Sequence, residues 1–468
     1  MKLLVAIASY GTNNDRYLAQ LVKEYRSMSF EVDIVVLSNI AKQVAPSVEV
    51  VVVDLKGKNP WSLPFPHKQI FADRKNDYDL FLYSEDDTLV TEKNILAFLE
   101  LSAALPEGEV PGFLRFEQGA DGSVNFPEIH GRFHWDPLSV RRRGAYTLAF
   151  FTNEHAACYL LNRQQLHRAI ASGGFLVGPH QGNYDLLCTA ATDPYTQCGT
   201  QKLICISRID EFMIRHLPNK YVGTSFGIDQ LELERQLAEL MRVDSNGNRP
   251  VMLFQTETKL RGGAYSKSYY EPVREELLTV IPMGARSVLS IGCGAGATEE
   301  ALIKKGIRVV GVPLDAVISG AAAEKGIEIV AGDFDQAHRK LAAERFDVLL
   351  LSNVLHLVPD PAKILKTFSD LLTRGGTVIV STPNLKSAAN LWRRLRQHER
   401  PAALDGYRTS GVHKTSPAVI RNWLRSAGMK PGKSINILPA SRETFSRYTL
   451  GLAEAFLSSE FIAVARKE

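Results

Sequence analysis

Cysteine is scarce in this chain. Five occur in 468 residues, Cys158, Cys188, Cys198, Cys205 and Cys293, and none shares a C-x-x-C spacing. That excludes a zinc ribbon and a disulfide framework, and it fits a reducing cytoplasm. Long apolar runs are missing as well, since no stretch approaches the ~20 residues of a membrane-spanning helix. The opening run Leu3–Ala8 falls short of the roughly 7–15 residues of a secretory h-region, so a first buried strand and a cytoplasmic location are expected. Charge of one sign is nearly absent. Fifty-five Lys and Arg against 51 Asp and Glu leave +4, which points to no partner. The basic runs Arg141–Arg143 and Arg393–Arg400 lack the interleaved aromatics that stack bases, so nucleic acid is not expected. They read as solvated faces, with peripheral contact to a membrane surface or an anionic glycan as the alternative. There is no repeat of fixed period and no low-complexity tract.

What is present is length for two or three domains, with 45% hydrophobic and 23% charged residues, ordinary values for a globular protein. Strands alternate with helices twice. The first series runs through strands at 3–9, 32–38, 48–55 and 80–83, with helices at 15–28, 64–76 and 91–105. The pattern loosens from 106 to 227. A helix at 230–242 and the loop Asp244–Pro250 resemble a linker. The second series starts near 270, with strands at 287–291, 307–312, 327–330, 346–351 and 376–381. The expectation is an α/β protein of two doubly wound domains, 1–227 and 263–468, joined through 228–262.

The second half is organised around Arg286-Ser-Val-Leu-Ser-Ile-Gly-Cys-Gly-Ala-Gly-Ala-Thr-Glu-Glu300. A strand runs into Gly292, Gly294 and Gly296 and then into a helix with acids in its first turn. Glycines let the backbone turn sharply and lie bare against a ligand, and a helix N-terminus offers free amides to an anion. Glycine spacing alone also fits a dinucleotide. The blocks that follow decide: Asp333 at the end of the third strand, then Phe346-Asp-Val-Leu-Leu-Leu-Ser-Asn-Val-Leu-His-Leu-Val-Pro-Asp-Pro361, then Leu372-Thr-Arg-Gly-Gly-Thr-Val-Ile-Val380.

In order and spacing these resemble the class I S-adenosylmethionine-dependent methyltransferases, over about 265–468, with a Rossmann-like fold. The resemblance implies S-adenosyl-L-methionine as cofactor, held by Ser290, the three glycines, Glu299, Asp315, Asp333, Phe334 and Asn353. Tyr265–Tyr270 and Gly411–Pro417 resemble the segments that cap the cofactor. Two positions depart from the family. An acid that helps hold the cofactor's ammonium is replaced by Ser290, and an acid that grips the ribose is replaced by Pro313. A charge-assisted hydrogen bond is worth roughly 1.5–3 kcal/mol, so either Glu299 and Asp315 substitute, which is the expectation, or cofactor binding is weak. Methyl transfer needs alignment more than a base. If the acceptor is a sugar hydroxyl, His356 and His413 are the candidate bases, against a core role for each.

In the first half, four apolar strand residues run into Ser84-Glu-Asp-Asp-Thr88. Burying three carboxylates without counter-charge is costly, so they are expected at a strand end, in solvent or on a cation. Glu85 and Asp87, two apart, point the same way and can share a hard divalent ion. The arrangement resembles the D-x-D region of GT-A-fold glycosyltransferases. The resemblance implies a nucleotide-sugar donor, a divalent ion (Mn or Mg) on Glu85, Asp87 and a late histidine, His216 ahead of His180, and donor contacts from Ser9, Tyr10, Lys68 and Asp86, with His67 beside them. Asp185 is the candidate base for an acceptor hydroxyl, or else a helix-opening acid.

The expected whole is a bifunctional transferase of glycan biosynthesis. It would add a sugar to a glycan or small-molecule acceptor and methylate a sugar hydroxyl. Two other assignments stay open: a glycosyltransferase with a non-catalytic docking domain, or a methyltransferase with a glycan-binding domain.

Overall fold

The computed structural model describes residues 1–127, 134–224, 227–245, 251–388, 390, 406–438 and 457–468. The chain forms two compact units, 1–248 and 249–468.

The core of the first unit is a five-stranded sheet in the order Cys158–Asn162, Leu80–Glu85, Lys2–Ser9, Glu31–Ser38, Val48–Val52. The last four are parallel and the first runs antiparallel at the edge. Leu3 to Ile7 and Leu80 to Tyr83 are fully buried, as expected of apolar strands covered on both faces. Ala8 pairs with Glu85 in register, so the acidic turn leaves the sheet at the carboxyl end, beside the first strand.

Residues 106–227, whose sequence reads as loosened, instead build two further sheets. One is ordered Glu109–Pro111, Gln201–Cys205, Tyr146–Phe151, Trp135–Arg143. The other is ordered Ile228–Asp229, Val124–Phe126, Leu114–Gln118, Met213–His216, Thr88–Leu89. The second matters for function. His216 pairs with Thr88, and the Leu217 amide donates to the Asp87 carbonyl at 2.9 Å. A sheet edge therefore carries His216 to the acidic turn.

The helix Gln230–Ser245, expected in a linker, packs on the first unit. Trp135 Nε1 donates to Gln236 Oε1 at 3.0 Å, and Arg142 pairs with Asp244 at 2.7 Å. The basic run Arg141–Arg143 is thus not a free cationic face. Arg141 and Arg143 both pair with Glu109, at 2.8 and 2.7 Å. The run 393–400 and most of the loop at 244–250 lie outside the described residues.

The second unit holds a seven-stranded sheet ordered Glu328–Ile329, Arg308–Pro313, Ser287–Cys293, Phe346–Ser352, Leu372–Pro383, Glu460–Lys467, Met429–Ile437. The first five are parallel, and Glu460–Lys467 runs antiparallel to both neighbours. Strand order reverses between Ser287–Cys293 and Phe346–Ser352. That switch point opens a crevice at the carboxyl ends, where ligands of open α/β sheets bind. The glycine loop and Asn353 flank it. Leu253 and Phe254 belong to this unit's core, so the chain joins it well before the expected start at 263.

Candidate active sites

In the first unit all three acids of the turn are drawn inward, each differently. Asp86 accepts from Ser9 Oγ at 2.6 Å and from Asn14 Nδ2 at 2.7 Å. Burial nevertheless pushes its carboxyl up to about 6. Burial, then the neighbouring Asp87 charge, push Glu85 up to about 8. Burial also works to raise Asp87, but His216, Lys220 and Arg115 together hold it below its ordinary value. Opposite charges that close favour the ionised form.

His216 stands with Nε2 3.5 Å from Asp87 Oδ2, and its Nδ1 lies 2.6 Å from Glu117 Oε1. Glu117 is fully buried and also accepts from the amides of Lys220, Tyr221 and Val222 at 3.1, 2.7 and 3.0 Å. A carboxylate on Nδ1 accepts that nitrogen's proton and orients the ring so that Nε2 faces Asp87.

The expected three-ligand set does not assemble as a unit. Among the described residues no group of three His, Cys, Asp or Glu is arranged to hold a metal ion. Glu85 turns instead toward His155, whose Nε2 is 3.6 Å from Glu85 Oε1. Asp87 and His216 do face one another, and the buried Glu85 Oε1 and Asp87 Oδ1 have no hydrogen-bond partner. Carboxylate oxygens left without hydrogen bonds beside an imidazole fit a hard cation.

A cleft of about 480 Å³ opens over these groups, lined among others by Tyr10, Trp61, Glu85, Asp87, Leu187 and Lys220. Tyr10 is 55% exposed and Trp61 50%, so both rings stand open at the cleft. Asp185 is brought to the same end, close enough to raise Glu85, while capping helix Leu186–Thr196 through the Cys188 amide at 2.9 Å.

Lys68 is a correction. It is 2% exposed and ion-paired with the fully buried Asp193, which takes its ammonium away from any diphosphate. His67 is likewise structural, fully buried between the Pro64 carbonyl and the Tyr159 hydroxyl at 2.6 Å each. Ser9 is 1% exposed and donates its hydroxyl to Asp86, so it shapes the acid. His180 lies 3.4 Å from Asp193 rather than at the acidic turn.

In the second unit the glycines answer to their own chain. Gly292 and Gly296 have φ of +73° and +77°, and a Cβ on Gly294 would stand 2.2 Å from the Tyr269 carbonyl. Ser290 is 1% exposed and donates to Glu299 Oε1 at 2.6 Å. The Glu299 carboxylate is thus held against the strand by the serine that stands at position 290. Asp315 is a correction: it is 2% exposed and caps helix Ala316–Glu324 through the Val317 and Ile318 amides at 2.8 and 3.0 Å. The carboxylate expected to serve in place of the acid lost at Pro313 is thus committed through Oδ1 to its own helix.

Asp333 caps helix Phe334–Lys340 and stays half-buried at the carboxyl edge, with Phe334 parallel to Phe254 at 6.2 Å between centroids. Asn353 has φ of +52° and donates to Glu271 Oε1 at 3.2 Å, and its buried Oδ1 has no hydrogen-bond partner. This orphan acceptor, with Glu271 and the half-buried Asp333 and Phe334, fits a zwitterionic nucleoside cofactor at both ends.

The candidate bases are braces. His356, 2% exposed, donates from Nε2 to the Tyr265 carbonyl at 2.9 Å. His413 donates to the Val358 carbonyl at 2.9 Å and stacks on Tyr407 at 4.5 Å, and burial lowers its basicity. Both are corrected from base to packing residue.

Sequence reasoning missed Glu117, Trp61, Lys267 and Glu271. The last two had a local signal, an i, i+4 pair of opposite charges in the capping segment. Glu117 had none, being 99 residues from His216.

Residues 262–431 match the sequence profile of a family described as a methyltransferase domain. The chain is 32% identical over 168 residues to a ubiquinone biosynthesis O-methyltransferase of Xylella fastidiosa, covering 34% of this chain and 67% of that one. It is 31% identical over 127 residues to a protein of the same name from Aeromonas salmonicida, 26% of this chain and 53% of that one. The chain thus spans between half and two thirds of these relatives. A crystal structure of an S-adenosylmethionine-dependent methyltransferase from Mesorhizobium loti aligns with 41% of this chain and 96% of that one, at 21% identity and a TM-score of 0.31.

Proposed function

We propose, from the premise that the chain belongs through residues 262–431 to the class I S-adenosylmethionine-dependent methyltransferases, that its second unit methylates an oxygen of a sugar or related acceptor. The chain is an enzyme of the transferase class. The observation that carries the reading is the parallel sheet whose switch point is flanked by the glycine loop and Asn353. When bound, the cofactor would supply an electrophilic methyl group on a sulfonium; transfer to an acceptor oxygen would release S-adenosylhomocysteine, with the hydroxyl proton passing to solvent. The chain's own part is alignment. Asp333 and Phe334 would hold the adenine, and the glycine loop would seat the amino-acid end. Oxygen as acceptor is supported by the names of the relatives. The test is incubation with S-adenosylmethionine and a panel of sugars and phenols, read by mass; methylation confined to nitrogen or protein would end the oxygen assignment.

For the first unit we propose transfer of a sugar from a nucleotide-sugar donor. Support comes from the cleft over Glu85, Asp86 and Asp87 at the carboxyl end of a parallel sheet. A divalent ion, Mn or Mg, would neutralise the leaving diphosphate. Asp87 and His216 would hold it, with Glu85 beside them and donor oxygens completing its shell. Tyr10 and Trp61 offer faces for the base or sugar, Lys220 a cation for phosphate, and Asp185 a carboxylate for the acceptor hydroxyl. The test is a screen of nucleotide sugars with manganese; no turnover, and no loss on Asp87→Ala, would favour a glycan-binding unit instead. That the two activities serve related acceptors rests on their sharing one chain.

A second reading of unit two, a docking domain without catalysis, is favoured by Pro313 together with the buried Asp315. Calorimetry decides: no heat at millimolar S-adenosylmethionine selects it.

A further inference from the structure

An amino-acid ammonium in a dry crevice needs several acceptors, at least one of them charged. Position 290, where the family resemblance places that charge, offers only a serine hydroxyl already donated to Glu299. A different place at the same edge meets the requirement. Lys267 Nζ donates to Glu271 Oε2 at 2.6 Å and to the Ser352 carbonyl at 2.8 Å. Ser352 Oγ stands 3.3 Å from the same carboxylate oxygen, and Asn353 Nδ2 holds the other at 3.2 Å. Asn353 Oδ1 is buried beside them without a hydrogen-bond partner.

Three further facts locate this cluster. Ser352 and Asn353 end the strand that borders the switch point. Tyr269, midway between Lys267 and Glu271, accepts the Ala295 amide of the glycine loop at 2.7 Å. Asn353 holds φ of +52°, a strained backbone that persists where surroundings impose it and that recurs at ligand sites. Lys267 is 2% exposed. A primary ammonium already sits here, out of water, on a carboxylate and a carbonyl.

We propose that Glu271, the Ser352 carbonyl and Asn353 form the receptor for the α-ammonium of the methyl donor, and that the Lys267 ammonium stands in for it in the free protein. The inference rests on the methyl-donor reading of this unit. It assigns the charge lost at position 290 to a carboxylate from the capping segment, and Glu271 becomes a specificity residue for a zwitterionic donor over a bare nucleoside.

The experiment is calorimetry on the full chain with two ligands, S-adenosylhomocysteine and an analogue lacking only its amino group. Wild type is expected to prefer the first by about tenfold or more. Glu271→Gln should erase that preference while binding the analogue as wild type does, which also shows that the variant is folded. Glu299→Gln should keep the preference. The proposal is overturned if Glu271→Gln retains the preference, if it weakens both ligands equally, or if Glu299→Gln is the variant that loses it. Failure of wild type to bind either ligand is a separate outcome, and it removes the methyl-donor reading itself.

Discussion

The acidic turn of the first unit and the glycine loop of the second occupy equivalent places. Each leaves a buried parallel strand at its carboxyl end, beside a neighbour that also ends there. They treat polar groups in opposite ways. The turn buries Asp86 and Asp87, half-buries Glu85, and leaves oxygens of Glu85 and Asp87 without hydrogen bonds beneath an open cleft. The loop is closed over by its own chain, with Tyr269 on Ala295 and Ser290 on Glu299. One site keeps like charges close together and partly unsatisfied. The other is closed by hydrogen bonds within its own chain.

The contrast breaks most easily at Asp87. Asp87→Ala should cost about 10²-fold or more in sugar transfer, the scale on which removing one preorganised charge partner acts. Retained turnover in an initial-rate assay with manganese would show that the turn does not serve catalysis. In the other unit the largest effect should come from Gly294→Ala, because its Cβ would stand 2.2 Å from a backbone carbonyl that cannot move aside. A loss of ~1–3 kcal/mol in denaturant stability is expected, with Gly284→Ala, which meets nothing within 4 Å, as the neutral control.

Glu117→Gln sharpens the comparison from the second layer. With the proton on His216 Nδ1 no longer fixed, manganese affinity should fall about tenfold, read by titration, while the fold survives. The smallest effect is a pH slope. Glu85 is raised from 4.5 to about 8 in the folded chain. The folded state thus binds its proton more tightly than the unfolded state. Its contribution is present in full below the ordinary carboxyl value and fades as pH rises toward 8. Melting of the first unit in the presence of chelator should therefore lose stability across that window, and Glu85→Gln should flatten the slope.

Much of this was legible in the sequence, for a physical reason. Strands covered on both faces are apolar throughout, so Leu3–Ala8, Leu80–Tyr83 and Val288–Ile291 announce themselves, and the polar or glycine residues that end them mark the sites. The short strands of 106–227 were not legible, because they are mixed in character and one, Trp135–Arg143, ends in three arginines. Those arginines read as solvated until Glu109 and Asp244 are found opposite them. Lys68 failed likewise: its charge is visible in the sequence, but Asp193, 125 residues away, is not visible as its partner. Ser290 and Pro313 both read as losses. Structure separates them, since Ser290 is bonded to Glu299 from the following helix, whereas the carboxylate nearest Pro313, Asp315, is spent on capping a helix.

The two-residue strand Thr88–Leu89 is the least conspicuous element of the first unit, and it fixes the most. It pairs with Arg215 and His216, and the next amide, that of Leu217, closes on the Asp87 carbonyl. The carboxylate and the imidazole are thus riveted through main chain, across a sheet edge, whatever their side chains carry. Substituting either changes the charge on offer without changing the gap between the two Cα positions. The rivet makes this a socket of constant gauge whose fittings can be exchanged.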